Sequence, residues 1–321
     1  MFKLLLKISV QNKAFSVQQK GIYFYRQKSG VFIRQNASVC NFSSESWVVL
    51  SPIEQSIKAK VEAVGTPLKD WDIHINYGIK TGFNDAFIIS GEKRKELIEQ
   101  DPKSAEIIRP ILRGRDIKRY GYDFADLYLL FIPWHFPLHN DSSITGASEK
   151  AEQAFRVQYP AIYNHLLKYK KELSNRNKAE TGIRYEWYAL QRWGANYWED
   201  FSKQKIIWKR VGSILRFCFD NEKHFVLDST CFATGSHIKY LLGILNSKLG
   251  NYMLQDSPKT GTGDLLISVQ AIEPIKIPIP NSKIERQIEE MLQIEDYQNI
   301  DRLIYEIYKL SEEEIQFISS Q

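Results

Sequence analysis

The chain has 321 residues, 43% of them hydrophobic and 25% charged, a composition typical of a globular protein large enough for two domains. Only three cysteines are scattered along the chain, which predicts a reducing compartment and therefore a cytoplasmic location. The apolar runs are shorter than the roughly 20 residues that span a bilayer, and Lys7 interrupts the hydrophobic start, so we expect neither a membrane partner nor a signal peptide.

The net charge of +5 conceals an asymmetry along the chain. Residues 281–321 contain four basic and ten acidic residues, a net charge of −6, which leaves +11 for residues 1–280. A basic body with an acidic tail favours an anionic partner for the body. The alternative is chance clustering of charges on a solvated surface.

The predicted elements begin with short apolar runs separated by Gly, Ser and Asn, which favour hairpin-like strands up to about residue 50. Residues 51–65 have a helix signature: a capping serine, then a proline, a glutamate three residues after the cap, and a final glycine. Alternating apolar residues predict a strand over residues 71–77, and the apolar run 86–89 predicts a second strand.

The remainder of the chain mixes helical and strand patterns and predicts an α+β fold, a mixed β-sheet domain with a helical C-terminal tail. Pro160 breaks one long helical pattern, and an Asn-Glu turn joins two strands predicted within residues 214–228. The predicted helices are 91–100, 104–114, 147–174, 237–254 and most of 281–321, and the other predicted strands are 127–132, 204–211 and 272–280.

Two glycine-containing segments have the residue types of a phosphate-binding loop. A nucleotide loop has the order G-x-x-x-x-G-K-[ST] and lies between a strand and a helix. In GIKTG, residues 78–82, the lysine lies between glycines only four apart and we expect a strand to follow; SPKTGTGD, residues 257–264, has another wrong order. We therefore predict no nucleotide site and interpret the first segment as a polar hairpin loop whose glycines permit tight turning.

No catalytic or metal-binding residue is predicted. Asp116 and Lys118, with Asp101 upstream, match a nuclease-type [DE]-x-K pattern, but they lie in a basic turn and not on an apolar strand. His135 and His139 are four apart, but a proline between them prevents the helix that would align them, so we expect no zinc site. A Ser-His or Cys-His arrangement stays open, although no motif supports one.

Two basic segments carry the strongest functional signal. Residues 109–122 place five Arg and Lys side chains around a glycine turn, and residues 182–210 interleave basic residues with four of the seven tryptophans. Arg and Lys neutralise phosphates, whereas Arg and Gln can also contact base edges, a role for which we favour Gln191 and Arg192. The alternative is that the tryptophans belong to the core and the basic residues to a solvated face.

Several stretches, taken together and in order, resemble one family. They are SPIEQSIKAKVEAVGTPLKDWDIHINYGIKTGFNDAFII, ILRGRDIKRYGY, ETGIRYEWYALQR, KIIWKR, YLLGILNSKL and DLLISVQAIEPIKIPIP. They resemble the C-terminal specificity (target-recognition) region of TaqI-like adenine-specific DNA methyltransferases and of fused type II (type IIG) restriction-modification enzymes. The resemblance covers about Ser51 to Tyr308.

The resemblance implies a DNA-binding domain that selects a short duplex site and holds it for a catalytic domain, which flips the adenine. A complete methyltransferase of this kind has a glycine-rich S-adenosylmethionine loop and an Asn-Pro-Pro-Tyr motif, and we find neither. We therefore expect no cofactor in this chain and no catalysis of its own. S-adenosylmethionine and Mg²⁺ would belong to a methyltransferase or endonuclease domain or subunit, removed by truncation or encoded separately.

This interpretation assigns residues 1–50 to a remnant or junction, 51–280 to the target-recognition domain and 281–321 to a helical tail. Two rival functions remain open: a protein-interaction module that docks through the acidic tail, and a methyltransferase or nuclease with an unrecognised active site. The side chains expected to contact DNA are Lys80, Thr81, Asn84, Arg113, Arg115, Lys118, Arg119, Arg184, Gln191, Arg192, Lys209, Arg210 and Lys259.

Overall fold

The computed structural model describes residues 50–321 and, ahead of them, the backbone of three strands. Its mixture of helices and sheets confirms the predicted α+β fold. The chain divides into two compact units, one composed of Met1–Val64 with Tyr308–Gln321 and the other of Gly65–Ile307.

Each of the described strands has six residues or fewer. The strands are β1 (Lys13–Gln18), β2 (Gly21–Arg26), β3 (Ser38–Cys40), β4 (Thr66–Pro67), β5 (Ile73–Tyr77), β6 (Ile88–Ser90), β7 (Ile108–Leu112), β8 (Leu127–Leu130), β9 (Lys205–Lys209), β10 (Val211–Gly212), β11 (Phe217–Asp220), β12 (Phe225–Val226), β13 (Thr230–Gly235), β14 (Leu265–Leu266) and β15 (Lys276–Ile277).

The described helices lie before, between and after the strands of the larger unit. The α-helices are α1 (Pro52–Val64), α2 (Asn84–Phe87), α3 (Gly91–Gln100), α4 (Glu149–Gln158), α5 (Pro160–Leu167), α6 (Lys170–Asn175), α7 (Ile238–Asn246), α8 (Lys248–Leu254), α9 (Val269–Ile272), α10 (Ser282–Gln293), α11 (Tyr297–Ile307) and α12 (Glu312–Ser319). Short 3-10 helices cover Leu68–Asp70, Pro102–Ile107 and Trp198–Ser202.

The smaller unit contains an antiparallel sheet, β1–β2–β3, which confirms the hairpin-like strands predicted before residue 50. Helix α1 begins as its sequence predicts: the backbone N–H of Ser51 donates to Glu54 Oε2 (2.6 Å), and that of Glu54 donates to Ser51 Oγ (3.4 Å). A second capping box, formed by Ser311 and Glu314, starts α12. Each box satisfies backbone donors that have no partner within the helix.

Two four-stranded sheets form the centre of the larger unit. The first is antiparallel in the order β11–β9–β13–β5, with Cys231 of β13 between Trp208 of β9 and Tyr77 of β5. The second has the order β12–β7–β8–β6, with β12 parallel to β7. Phe201 joins their cores, since its ring lies 4.6 Å from those of Phe225 in β12 and Phe232 in β13.

Helix α10 of the acidic tail packs on α7, which itself covers the first sheet, and α11 packs on α10 and α8. Two apolar residues of these helices, Ile288 and Ile304, are fully buried. A Cβ atom on Gly243 of α7 would lie 2.8 Å from Ile288 Cγ2, so the glycine permits this close packing. Ile294, which follows α10, is 72% exposed.

The hairpin predicted between residues 71–77 and 86–89 is wrong. β5 lies in the first sheet, whereas the chain after it forms the short helix α2 and enters the second sheet as β6, which begins only at Ile88. A helix therefore follows the polar loop, contrary to our expectation. Alternating apolar residues identify a strand but not its partner, and β5 pairs with β13, far along the chain.

Two further local predictions are wrong. Residues 104–114 are not an α-helix; they contain the end of the 3-10 helix Pro102–Ile107 and then strand β7. The two strands predicted within residues 214–228 exist as β11 and β12 but lie in different sheets. Short apolar runs fit a helix or a buried strand equally well by periodicity, and in β7 the pairing with β8 favours the strand.

Candidate nucleic-acid interface

The polar loop after β5 is held by backbone contacts with distant segments. The N–H of Ile79 donates to Val226 O (2.7 Å), and Lys80 and Arg192 exchange two backbone hydrogen bonds of 2.9 and 3.0 Å. A Cβ atom on Gly78 would lie 2.0 Å from Leu227 O, so only glycine allows the two backbones to approach this closely. The glycine that resembled part of a phosphate loop thus serves backbone packing.

A half-buried arginine fixes the next part of the loop. Arg176 Nη1 donates to Thr81 O (2.6 Å), and Nη2 donates to the carbonyl oxygens of Trp187 (3.2 Å) and Ala189. Burial lowers the pKa of Arg176 to about 10, which still leaves the guanidinium charged at neutral pH. Because three carbonyls from two chain segments share one rigid donor group, the position of the loop is well defined.

Thr81 in turn orients Asn84. Thr81 is buried, and its hydroxyl donates to Asn84 Oδ1 (2.6 Å). Asn84 is exposed at the start of α2, and its amide oxygen is already engaged. The amide NH₂ group is left to donate towards solvent.

A second loop, after β7, is organised by an ion pair. Arg113 Nε and Nη2 donate to the two carboxylate oxygens of Asp116 at 3.0 and 2.8 Å, and the backbone N–H of Arg113 donates to Oδ2 (2.8 Å). Burial raises the pKa of Asp116, but the hydrogen bonds from Arg113 outweigh this and lower it overall. The carboxylate of the nuclease-like motif is therefore occupied in shaping the turn, which leaves Arg115 exposed.

The two loops and the end of β9 surround an open cleft of about 470 Å³, which we call the basic cleft. Lys209 reaches it from β9 and packs close to Gly114. The residues that line the basic cleft are Asn84, Asp85, Ile88, Arg113, Gly114, Arg115, Leu127, Lys209, Leu227 and Ser229. Four predicted DNA-binding residues, distant in sequence, thus come together here.

Seven of the predicted cations have no acidic partner within 4.0 Å in the part of the chain that the structure describes, and five of these seven are not turned towards other protein groups. Arg115, Arg192, Lys209 and Lys259 are exposed, and Lys80 is half-buried. Arg115 and Lys209 line the basic cleft. Lys80 and Arg192 lie next to it, because Ile79, the residue before Lys80, pairs with the cleft residue Leu227. Lys259 lies in the separate exposed loop before β14.

Two other predicted cations form surface ion pairs. Lys118 Nζ lies 3.0 Å from Asp123 Oδ2, and Arg184 Nη1 lies 3.0 Å from Glu180 Oε1. The Arg184 guanidinium also lies over the ring of Trp134, 5.5 Å from its centroid. Surface pairs of this kind contribute at most about 1 kcal/mol, so they hold these side chains only weakly.

Arg119 and Arg210 are turned towards protein groups. Arg119 Nη2 donates to Asn246 O (2.6 Å), and its guanidinium lies 5.1 Å from the Tyr120 ring, which stacks on Tyr297. The half-buried Arg210 lies over Tyr77 at 5.8 Å. Neither arginine lines the basic cleft, although the backbone N–H of Arg210 donates to the carbonyl oxygen of the cleft residue Ser229 (2.9 Å).

The aromatic residues of residues 182–210 belong largely to the core. Trp187 and Trp208 are 7% and 1% exposed, whereas Trp198 is 40% exposed. Gln191 is also buried, and its amide oxygen packs against Gly82, where an added Cβ would lie 2.8 Å away. The alternative interpretation of the tryptophans as core residues therefore holds for two of the four.

Sequence reasoning missed two residues of this site. Arg176 lies in a polar segment without any pattern that marks its contacts with distant carbonyls, and Asp85 carries the charge opposite to the one that predicts phosphate binding. Within the described residues, no group of three or more His, Cys, Asp or Glu side chains is arranged to hold a metal ion. None of the described helices is long and apolar enough to cross a bilayer.

Known proteins share this fold and sequence pattern. A type II methyltransferase of Methanocaldococcus jannaschii, M.MjaIV, is 22% identical over 244 residues, which are 72% of this chain and 76% of that protein. The type II methyltransferase M.BstVI of Geobacillus stearothermophilus is 21% identical over 85% of this chain but only 46% of its own length.

Among solved structures, the type IIL restriction-modification enzyme MmeI in complex with DNA has a similar fold, with a TM-score of 0.52 and 13% sequence identity. The match covers 80% of this chain and 37% of the MmeI chain. The family model of the TaqI-like C-terminal specificity domain matches residues 109–279, more than half of the chain. The chain therefore belongs to the family of TaqI-like C-terminal specificity domains.

Proposed function

We propose that the chain binds duplex DNA at the basic cleft and selects a short target site as the recognition part of a restriction-modification system. One observation carries this proposal: in a member of a specificity-domain family, Arg115 and Lys209 converge on one cleft and have no acidic partner within 4.0 Å among the described residues. Exposed cations that no carboxylate neutralises are suited to phosphate oxygens.

The basic cleft, together with Lys80 and Arg192 beside it, has residues for the two kinds of contact that target recognition requires. Arg115, Lys209, Lys80 and Arg192 would position the duplex through its phosphates, a contribution without sequence information. Asn84, oriented by Thr81, would present its NH₂ group to acceptors on base edges. Such a division between positioning and base contacts is how proteins combine affinity with specificity.

Gln191 takes a different role in this proposal from its neighbour Arg192. Gln191 packs beneath the loop at Gly82, so it would support the loop, and Arg192, which is exposed, would contact DNA. Truncation of Gln191 should then lower stability before it alters sequence preference. Truncation of Arg192 should weaken DNA binding without a loss of stability.

The chemical step would belong to another domain or subunit. The curated relatives are type II methyltransferases, and MmeI is a restriction-modification enzyme, but the matched region spans less than half of M.BstVI and of the MmeI chain. We propose that a methyltransferase or endonuclease part binds S-adenosylmethionine and Mg²⁺ and acts on DNA that this domain holds. Access to a base for methylation requires its extrusion from the duplex.

Fluorescence anisotropy with labelled duplexes tests the proposal. We expect a dissociation constant on the order of 10⁻⁴–10⁻⁶ M for random duplex at physiological salt, and tighter binding of a site recovered by selection from a randomised library. Failure to bind any duplex at low salt would contradict the proposal and favour a protein-interaction module. Transfer of label from S-adenosylmethionine to DNA by the pure chain would favour an enzyme instead.

A further inference from the structure

Asp85 is the one acidic side chain among the residues that line the basic cleft. It is exposed, and no Lys, Arg or His among the described residues lies within 4.0 Å of its carboxylate. Asp116, which lies in the adjacent turn, is by contrast bound by Arg113 through both of its oxygens. Asp85 therefore has the full acceptor capacity of a carboxylate available at the surface of the cleft.

An unpaired carboxylate weakens the attraction of the cleft for DNA phosphates. It repels phosphates and offsets part of the attraction exerted by Arg115 and Lys209. The repulsion is compensated only when the carboxylate meets a hydrogen-bond donor on the DNA. In the major groove the donors are the exocyclic amino groups, N4 of cytosine and N6 of adenine, and Asp and Glu are suited to accept from them.

The neighbouring side chain strengthens this assignment. Asn84 has its amide oxygen engaged by Thr81 and so offers a donor, whereas Asp85 offers only acceptors. Two consecutive residues of α2 thus present opposite hydrogen-bonding character to the same cleft. A base edge, which alternates donors and acceptors, is a surface that such a pair can distinguish, and a phosphate, which has only acceptors, is not.

We propose that Asp85 is a specificity-determining residue that accepts a hydrogen bond from the exocyclic amino group of a cytosine or adenine in the target site. The proposal rests on the DNA-binding function proposed above. It predicts two opposite effects of removing Asp85: the affinity for random DNA rises, whereas the discrimination between bases at one position of the site falls. Removal of a residue that contacts only phosphate would instead weaken binding to all sequences alike and leave the discrimination unchanged.

The first experiment is selection from a randomised duplex library by the wild-type chain, Asp85→Ala and Asp85→Asn. Glu99→Ala is the matched control, since Glu99 is an exposed, unpaired acid of α3 outside the cleft. We expect Asp85→Ala to lose about tenfold or more of the preference for cytosine or adenine at one position. Both Asp85 variants should bind random duplex more tightly than Glu99→Ala does.

The second experiment removes the amino group from the DNA. The base identified by selection is replaced by purine in place of adenine, or by 2-pyrimidinone in place of cytosine, which also distinguishes the two sources of the amino group. The wild-type chain should lose about tenfold in affinity, and Asp85→Ala should lose almost nothing further. Thermal unfolding confirms that each variant is folded, and Asp85→Leu, whose side chain also lacks an acceptor, replaces Asp85→Ala if the latter is not.

Three results would overturn the inference. In the first, all variants select the same site. In the second, the wild-type chain and Asp85→Ala lose equal affinity when the amino group is removed. In the third, the wild-type chain binds DNA without any preferred site. In the first two the whole proposed function still stands, whereas in the third only DNA binding stands and the proposed selection of a site does not. A wild-type chain that binds no duplex at all overturns the proposed function and this inference together.

Discussion

Arg176 Nη1 donates a hydrogen bond of 2.6 Å to the carbonyl oxygen of Thr81, a residue of the loop that forms one side of the basic cleft. The same guanidinium donates to the carbonyl oxygens of Trp187 and Ala189, in the segment that leads to Arg192. One half-buried side chain thus fixes two segments that would contact DNA, although it does not itself line the cleft.

We predict that Arg176→Ala lowers the free energy of unfolding by about 3 kcal/mol, because a buried acceptor left without a partner costs about 1–3 kcal/mol. Affinity for duplex DNA should fall while the slope of log affinity against log salt stays unchanged, since no phosphate contact is lost. Chemical denaturation and anisotropy measure the two effects. Arg156→Ala, an exposed arginine of α4, is the control; equal stability of the two variants would contradict the role given to Arg176.

Gly78→Ala tests the close approach of the loop to β12. The new methyl group would meet Leu227 O, a backbone atom that cannot rotate away, so we expect a loss of about 2 kcal/mol or more in unfolding free energy. Gly121→Ala is the matched control, because nothing lies within 4 Å of an added Cβ at that position. If both substitutions left the midpoint of urea denaturation unchanged, the contact would not restrict the loop.

A buried ion pair links β9 to β11. Lys205 Nζ lies 2.5 Å from Asp220 Oδ2, both side chains are fully buried, and His224 Nδ1 lies 2.8 Å from Asp220 Oδ1. Burial alone would raise the pKa of Asp220, but the hydrogen bond with His224 and the charge of Lys205 lower it. We predict that Asp220→Ala costs about 3–5 kcal/mol of unfolding free energy, because it leaves an uncompensated buried lysine.

The double variant Lys205→Met with Asp220→Leu provides the control for this prediction. It removes both charges and should be more stable than Asp220→Ala alone, because no buried charge is left without a partner. Denaturant titration of the two variants gives the comparison. A double variant that is less stable than the single one would show that the charge itself is not the source of the effect.

Glu314 makes the smaller unit sensitive to acid. Burial raises the pKa of Glu314, but hydrogen bonds from Lys60 Nζ (2.6 Å), Ser56 Oγ (2.7 Å) and the backbone N–H of Ser311 outweigh this and lower it to about 2. A carboxylate whose pKa is depressed by folding stabilises the folded state above its unfolded pKa, and the contribution is lost as pH falls towards the folded pKa. We therefore expect stability to decrease between about pH 4.5 and pH 2.

Thermal unfolding at several pH values measures this dependence. Glu314→Gln should be less stable than the wild-type chain at pH 6, and the difference should disappear near pH 2. The exposed neighbour Glu313→Gln controls for loss of a negative charge in the first turn of α12. A difference between wild-type and Glu314→Gln that is constant over this pH range would contradict the hydrogen-bonded state of Glu314.

The sequence predicted correctly the helix ends, which depend on neighbouring residues. It did not predict the strand pairing, which depends on residues far apart in the chain. The capping box at Ser51 and Glu54, and the break of the helices at Pro160, are local and were predicted correctly. The hairpin assigned to the loop after β5 was wrong, because β5 finds its partner in β13.

The candidate site shows the same division. Composition and spacing indicated which segments are basic, but only the fold separates Arg115, which has no acidic partner among the described residues, from Arg113, which Asp116 holds in place. The burial of Gln191 and the position of Asp85 follow from the meeting of segments far apart in sequence. No local pattern of residue types contains that information.

The salt dependence of binding tests the central claim, that DNA binds to Arg115 and Lys209 of the basic cleft and to the neighbouring Lys80 and Arg192, with Lys259 of the separate loop before β14 as a further phosphate contact. If Lys80, Arg115, Arg192, Lys209 and Lys259 each neutralise one phosphate, the slope of log affinity against log salt is about −4 to −5, from about −0.9 per phosphate. Joint replacement of Arg115, Arg192 and Lys209 by Ala should flatten it by about two to three units.

The control variant replaces Lys95, Arg156 and Lys171 by Ala, three exposed cations of α3, α4 and α6. It removes the same charge from positions outside the cleft, so its slope should remain within about one unit of the wild-type value, as expected when no phosphate contact is removed. Anisotropy of a labelled random duplex at several salt concentrations gives all three slopes. Equal slopes for the two triple variants would contradict DNA binding at the basic cleft.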